Sequence, residues 1–248
     1  MTLETFFREN SRVAVAFSGG VDSSYLLYAA LRYGVVVRGY YVKTAFQPQF
    51  ELDDALRLAH EIGADVSILR VDVLSDPIVL SNPSDRCYHC KKRIFGTIAK
   101  AAQADGFSVL LDGTNASDDA GDRPGMKALQ ELAVRSPLRE CGLTKTRIRE
   151  LSREAGLFTW NKPAYACLAT RIPHGTAITR ESLERTEKAE AFLASLGFSD
   201  FRIRQYGDAA RIQLPASQLE RAVELRSQIT ERLKELYTAV FLDLEPRG

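Results

Sequence analysis

A chain of 248 residues, 45% hydrophobic and 26% charged, has apolar material for one large domain, or a medium and a small one, without a structural disulfide or metal. Its 33 Lys and Arg against 32 Asp and Glu give a net charge of +1, which excludes a bulk electrostatic pull toward nucleic acid or anionic membrane, though not a local basic patch. Residues 1–10 contain Glu4, Arg8 and Glu9 and no apolar run. No stretch approaches the roughly 20 apolar residues of a membrane helix, so neither a signal peptide nor a membrane anchor is expected and the cytoplasm is the default.

In chain order, residues 12–17 read as a short buried strand and 21–33 as a helix rich in Leu, Tyr and Ala. Residues 35–42 are a second β-branched run, and 52–62 a helix with acidic residues near its start. The pattern then predicts a strand over 66–73, a helix over 91–104, a strand over 108–112 and a helix over 145–155 capped by Thr144. Strands alternating with helices imply right-handed crossovers and an α/β fold, its mostly parallel sheet covered on both faces. Beyond Gly175 the order changes. Residues 180–196 read as a helix ended by Gly197, 201–205 and 210–214 as a hairpin, 218–236 as one long helix and 238–244 as a last strand. The expected division is 1–160 for the parallel domain, 161–176 for a joining loop with Cys167, and 177–248 for a smaller α+β domain serving substrate or oligomerisation.

The first strand runs into Ser18-Gly19-Gly20-Val21-Asp22-Ser23-Ser24 and then a helix. A Gly-rich turn at a helix N-terminus offers unpaired amides and a positive helix end to anionic oxygens, and the serine hydroxyls add donors. Asp22 suits Mg²⁺ or the shape of the loop better than direct phosphate contact. A Gly-Gly turn alone often only connects two elements, but this one lies between a strand and a helix. The loop lacks the ending of a Walker A motif and the spacing of a dinucleotide fingerprint. It resembles the SGGxDS pattern of PP-loop pyrophosphatases. The resemblance implies that ATP is split between its α and β phosphates, an oxygen is adenylated, and a nucleophile then attacks. A second stretch, Asp112-Gly113-Thr114-Asn115-Ala116-Ser117-Asp118-Asp119, ends the strand over 108–112. By itself it reads equally as a solvated turn; a parallel sheet sets it beside the first loop. It resembles the DGTNxxD stretch of the same family, which puts Asp112, Gly113 and Asn115 near the nucleotide. Arg123, in Arg123-Pro124-Gly125, is a candidate phosphate-facing guanidinium.

Four cysteines lie at 87, 90, 141 and 167, and in a reducing compartment they point to metal binding or catalysis rather than disulfides. Cys87-Tyr88-His89-Cys90 leads directly into Lys91, Lys92, Arg93 and a helix, a setting in which thiols ionise and bind metals. A CxxC supplies two ligands, and Cys167 is the candidate third. Three thiolates suit a [4Fe–4S] cluster with one open iron; with His89 or His174 they suit a closed zinc site; a redox CxxC with an unrelated Cys167 is the third reading. Cys141 has no nearby partner and reads as a buried or idle thiol.

The segments Asn161-Lys162-Pro163-Ala164 and Arg171-Ile172-Pro173-His174-Gly175-Thr176, with Lys91-Lys92, Arg202-Ile203-Arg204 and Phe241-Leu242-Asp243-Leu244, resemble the LarE family over nearly the whole chain. That resemblance implies a PP-loop enzyme that adenylates the carboxylates of pyridinium-3,5-biscarboxylic acid mononucleotide and replaces oxygen by sulfur, on the way to a nickel-pincer nucleotide cofactor. One branch of the family sacrifices the sulfur of a single cysteine; another holds a [4Fe–4S] cluster on three. The lone cysteine of the first branch falls on Ala166, beside Cys167, so the resemblance favours the cluster branch, with Cys87, Cys90 and Cys167 as ligands and ATP and Mg²⁺ as the other cofactors. Arg171, Glu190, Arg202 and Arg204 are then the expected substrate-binding residues, since guanidinium forks suit phosphate and carboxylate. Arg211 reads as a solvated strand face. The expected partner is a small-molecule nucleotide and the assembly a homo-oligomer, with no tRNA and no membrane. A cluster-dependent tRNA thiolase and a zinc-stabilised module that senses ATP without turnover are the competing readings.

Overall fold

The computed structural model describes residues 1–118 and 124–247. In chain order its helices and strands are α1 (Leu3–Glu9), β1 (Arg12–Ala16), α2 (Val21–Arg32), β2 (Val36–Lys43), α3 (Gln49–Ile62), β3 (Val66–Arg70), α4 (Pro77–Ser81), α5 (Arg86–Ala104), β4 (Leu110–Leu111), α6 (Pro124–Glu131), α7 (Pro137–Glu140), α8 (Lys145–Glu154), α9 (Arg180–Ser195), β5 (Arg202–Tyr206), β6 (Ala209–Gln213), α10 (Leu219–Glu224), α11 (Arg226–Lys234) and β7 (Val240–Leu242). They form two compact units, Met1–Val73 with Asp85–Lys162, and Leu74–Ser84 with the chain from Pro163 onward. Among the described residues, no helix is long and apolar enough to cross a membrane.

In the first unit four parallel strands run in the order β3-β2-β1-β4. Successive side chains of a strand point to opposite faces, and here both faces are covered. Val13, Val15 and Tyr41 pack with Phe6 and Phe7 of α1, Leu26 and Leu27 of α2, Leu58 of α3 and Ile148 of α8. Their neighbours Ala14, Tyr40 and Val42 join Ile98 and Ala102 of α5 on the other face. Burial on both sides gives the chain of β1 an unbroken apolar run over residues 13–17, while β2 is interrupted by Arg38 and β3 by Ser67. The strand predicted over 108–112 is shorter: Leu110 and Leu111 are in register with β1, and before them Val109 O accepts from Ala14 N–H at 2.9 Å. Arg135 continues that edge, its N–H donating to Leu110 O and its carbonyl accepting from Asp112 N–H, both at 2.9 Å.

Helix α5 starts at Arg86 rather than 91. Nothing in Arg86-Cys87-Tyr88-His89-Cys90 breaks a helix, as it has neither Gly nor Pro, so the CxxC lies inside the first turns instead of preceding them. Thr144 caps α8, its hydroxyl accepting from Arg147 N–H at 3.3 Å.

The second unit pairs β5 with β6 as an antiparallel hairpin, with Arg204 opposite Arg211, and sets β7 parallel to β6. Ala189, Leu193, Ile203, Ala210, Ile212, Ile229 and Leu233 form its core. The long helix predicted over 218–236 bends at Leu225 (φ −87°, ψ 8°) into α10 and α11. The hydrogen-bond ladder survives the bend: Leu225 N–H reaches Arg221 O and Ile229 N–H reaches Leu225 O, each at 3.0 Å. Asn82 ties Leu74–Ser84 into this unit. It ends α4 in the left-handed region at φ 55°, which Asn tolerates better than most residues. Its buried amide donates to the carbonyls of Ile172, Pro173 and Thr176 at 3.3, 2.8 and 3.2 Å.

Candidate functional site

From β1 the chain builds the sheet outward through β2 and β3, then returns to the other side of β1 as β4. The switch point of this sheet lies at the carboxyl ends of β1 and β4, where the strand order reverses, and residues 18–24 and 112–118 issue from those two ends. Gly20 precedes α2 without a side chain to cap its first turn, so the helix end keeps the anion-binding character of uncapped amides. Ser23 organises the loop: its Oγ accepts from Ser18 N–H at 3.2 Å, lies 3.0 Å from Ser18 Oγ and donates to Gly20 O at 3.3 Å. Ser24 is fully buried, and its hydroxyl has no hydrogen-bond partner among the described residues. Gly19 has φ +72°, and a Cβ there would sit 2.9 Å from Ala55 Cβ, so only glycine fits.

The two loops touch. A Cβ on Gly113 would stand 2.9 Å from Ser23 N. Asn115, also buried, donates to Asp22 Oδ1 at 3.3 Å, and Lys145 Nζ reaches Asp22 Oδ2 at 2.5 Å. Asp112 acts as a brace, accepting from Thr114 Oγ1 at 2.5 Å and Ser136 Oγ at 2.6 Å. Arg139 holds the loop main chain through Asp118 O at 2.6 Å. Both oxygens of Asp22 are engaged, yet each keeps a lone pair for a cation. Lys145, Ser136 and Arg139 were not singled out by the sequence. The Thr144 cap marked where α8 begins, but no local signal names a partner more than a hundred residues away. Arg123 lies outside the described residues.

Cys87 and Cys90 are three residues apart on α5, a spacing that sets them on one side of the helix. Cys87 is exposed and Cys90 partly so, and the Arg86 guanidinium donates to Cys87 Sγ at 3.8 Å. Cys167 belongs to the second unit. Among the described residues no group of three or more His, Cys, Asp or Glu side chains is gathered to hold a metal. Cys141 is half-buried against the core of the first unit, and burial pushes its thiol pKa up.

In the second unit, Arg171 and Glu190 form a buried ion pair, Nε to Oε1 at 2.8 Å and Nη2 to Oε2 at 3.1 Å. Burial works against the Arg171 charge, but the bonds to Glu190 hold its pKa above the ordinary arginine value. Glu190 also accepts from Tyr165 OH at 2.6 Å and Ile203 N–H at 2.9 Å. Arg202 is buried, and that burial, with the nearby charge of Arg171, lowers its pKa to about 10. Arg204 is pushed down by the same two causes. Arg171, Arg204 and Arg211, with Thr170, Gln205 and Tyr206, line a cleft of about 210 Å³ that has no acidic residue in its wall. Arg211 also meets Asp243 at 3.2 Å. Such a wall selects anions.

No family model matches the chain. A pyridinium-3,5-bisthiocarboxylic acid mononucleotide synthase of Lactiplantibacillus plantarum is 36% identical over 248 residues, covering 98% of this chain and 89% of that protein. An uncharacterized protein of a Synechocystis species is 38% identical over 225 residues, 90% of this chain and 83% of its own length. A tRNA-specific 2-thiouridylase of Thermotoga petrophila is 26% identical over 193 residues, 61% of this chain and 54% of that enzyme. With more than a third of its residues shared along almost its full length with the Lactiplantibacillus synthase, and with a PP-loop at the switch point of a parallel sheet, the chain belongs to the LarE family.

Proposed function

We propose that this chain is an ATP-dependent sulfurtransferase that replaces carboxylate oxygen by sulfur in pyridinium-3,5-biscarboxylic acid mononucleotide, for biosynthesis of a nickel-pincer nucleotide cofactor. The observation that carries the reading is the crevice where Ser23 and Gly113 meet, in a chain of the LarE family. ATP lies with its phosphates on the first turn of α2 and on the hydroxyls of Ser18, Ser23 and Ser24, with Gly19, Gly20 and Gly113 keeping the main chain within reach. Asp112 and Asn115 flank the nucleotide, and Asp22 would hold Mg²⁺. A substrate carboxylate oxygen attacks the α-phosphorus, pyrophosphate leaves and an acyl-adenylate results. Lys145, beside Asp22, stabilises the charge that develops on the leaving pyrophosphate.

The arginine-lined cleft of the second unit suits the substrate's phosphate or second carboxylate, with Arg204 and Arg211 as direct contacts. Cys87, Cys90 and Cys167 would hold a [4Fe–4S] cluster, and that cluster would supply sulfide for the exchange. The domain division is then functional, ATP chemistry in the first unit and substrate recognition in the second, in a cytoplasmic homo-oligomer. The partial likeness to a tRNA thiouridylase supports shared ATP chemistry, while a net charge of +1 gives no support to tRNA as acceptor.

The test is anaerobic turnover of iron-analysed protein with ATP, Mg²⁺, sulfide and the biscarboxylate mononucleotide, following product mass. A gain of about 16 Da per exchange over many turnovers, lost in Cys87→Ala, establishes the cluster-dependent activity. One turnover that leaves Cys167 as dehydroalanine makes the sulfur sacrificial. Pyrophosphate release without thiolation discards the substrate.

A further inference from the structure

Apolar burial anchors the chain only on the far side of Cys167, where Leu168 and Ala169 are fully buried; Pro163, Ala164 and Ala166 before it are all exposed. Three arginines hold the main chain on and around this exposed side. Arg202 Nη2 donates to Ala164 O at 2.7 Å, Arg171 Nη1 to Ala166 O at 2.7 Å and Cys167 O at 3.4 Å, and Arg204 Nη1 to Thr170 O at 2.7 Å. Thr170 closes the turn, its N–H and hydroxyl reaching Cys167 O at 2.9 and 2.8 Å. Tyr165 stands at the centre of this arrangement. The guanidinium carbons of Arg171 and Arg202 lie 4.6 and 5.3 Å from its ring centroid, and its hydroxyl donates to Glu190, the acid that orients Arg171. One aromatic ring thus contacts two cations that repel each other and the carboxylate that offsets one of them.

We propose that Tyr165 is a positioning residue for Cys167, acting through Glu190, Arg171 and Arg202 on the loop that carries the thiol. Arg171 has its Nε, Nη1 and Nη2 all engaged inside the protein, so its part is to hold this loop. Substrate contact is left to Arg204 and Arg211. The use of a fixed Cys167 rests on the sulfur-transfer reading above; the clamp itself does not.

The test compares Tyr165→Phe, which keeps the ring and loses the hydroxyl, with Tyr165→Leu, which loses both. The protein is free of ATP, iron and substrate, so the result does not depend on the proposed reaction. Hydrogen exchange by mass spectrometry over residues 163–172 and the alkylation rate of Cys167 are read together. A hydrogen bond to a charged group is lost in Tyr165→Phe, so exchange at Thr170 N–H and alkylation of Cys167 rise about tenfold, and further in Tyr165→Leu. Exchange across α2 and alkylation of Cys141 stay at wild-type rates. In the thiolation assay, Tyr165→Phe slows sulfur transfer with an unchanged KM for ATP. Unchanged exchange over 163–172, or a rise spread evenly over the second unit, overturns the assignment. Altered exchange with no thiolation in the wild type would leave the clamp standing and remove only its proposed use.

Discussion

Replacing Gly113 by alanine tests the closest contact of the candidate site. Gly113 is not among the glycines with positive φ, so alanine is allowed by the backbone and any effect comes from the added methyl. That methyl would lie 2.9 Å from Ser23 N, 3.2 Å from Ser23 Cα and 3.3 Å from Asp22 Cβ, against an ordinary carbon contact of about 3.5 Å or more. The atoms in the way are mainly main chain of the first turn of α2, which cannot rotate aside. The two loops have to part, and overpacking of this kind costs about 1–3 kcal/mol. Borne at the mouth of the crevice, that cost weakens ATP binding about fivefold to a hundredfold. Calorimetric titration with ATP measures it, and a urea melt of the same variant separates local from global damage. ATP affinity within twofold of wild type, with an unchanged melt, would falsify the claim that the two loops form one phosphate site.

Three further outcomes follow from other contacts. Lys145→Met leaves the Asp22 carboxylate uncompensated beside the phosphate loop, so the KM for ATP rises about tenfold. Stability drops by roughly 1 kcal/mol or less, because the pair is partly exposed; an unchanged KM refutes a role for Lys145 with the phosphates. Glu190→Gln removes the charge partner of Arg171, whose side chain is 0% exposed, and breaking such a pair costs about 3–5 kcal/mol in a denaturant melt. A loss under about 1 kcal/mol shows that the pair is more hydrated than its burial implies. At pH 8 iodoacetamide modifies exposed Cys87 before half-buried Cys141, whose raised pKa keeps it protonated. The sign for stability is set by the same shift: the unfolded chain gives up this proton first, so the contribution of Cys141 is present at neutral pH and declines as pH rises through the ordinary thiol range. Equal alkylation rates at the two cysteines refute the burial argument.

Much of the fold was legible locally. The apolar run over residues 13–17, and the β-branched and aromatic residues on either side of Arg38 and Gly39, mark strands covered on both faces, because burial of both sheet surfaces leaves little polar alternation. Caps are equally local: Thr144 and Gly197 bracket helices through bonds or dihedrals within a few residues. Short elements were not legible. Helix α4 spans five residues, too few to show a period, and the CxxC was read as lying before α5 because its residues carry neither a breaker nor a strong apolar stripe.

The sequence by itself determined that a serine- and glycine-rich loop ends the first strand and opens a helix, and that the strands around it are parallel, since periodicity, caps and turn residues act over a few positions. Only the tertiary structure decided what meets that loop. The sheet order β3-β2-β1-β4 brings Gly113 against Ser23 and Asn115 to Asp22, and α8 delivers Lys145 to the same carboxylate across 123 positions of sequence. In the second unit, the strand spacing of Arg202 and Arg204 suggested anion contacts, yet folding directs donors of both to the carbonyls around Cys167. A buried donor takes the nearest acceptor that folding provides, and spacing along the chain does not encode which one that is.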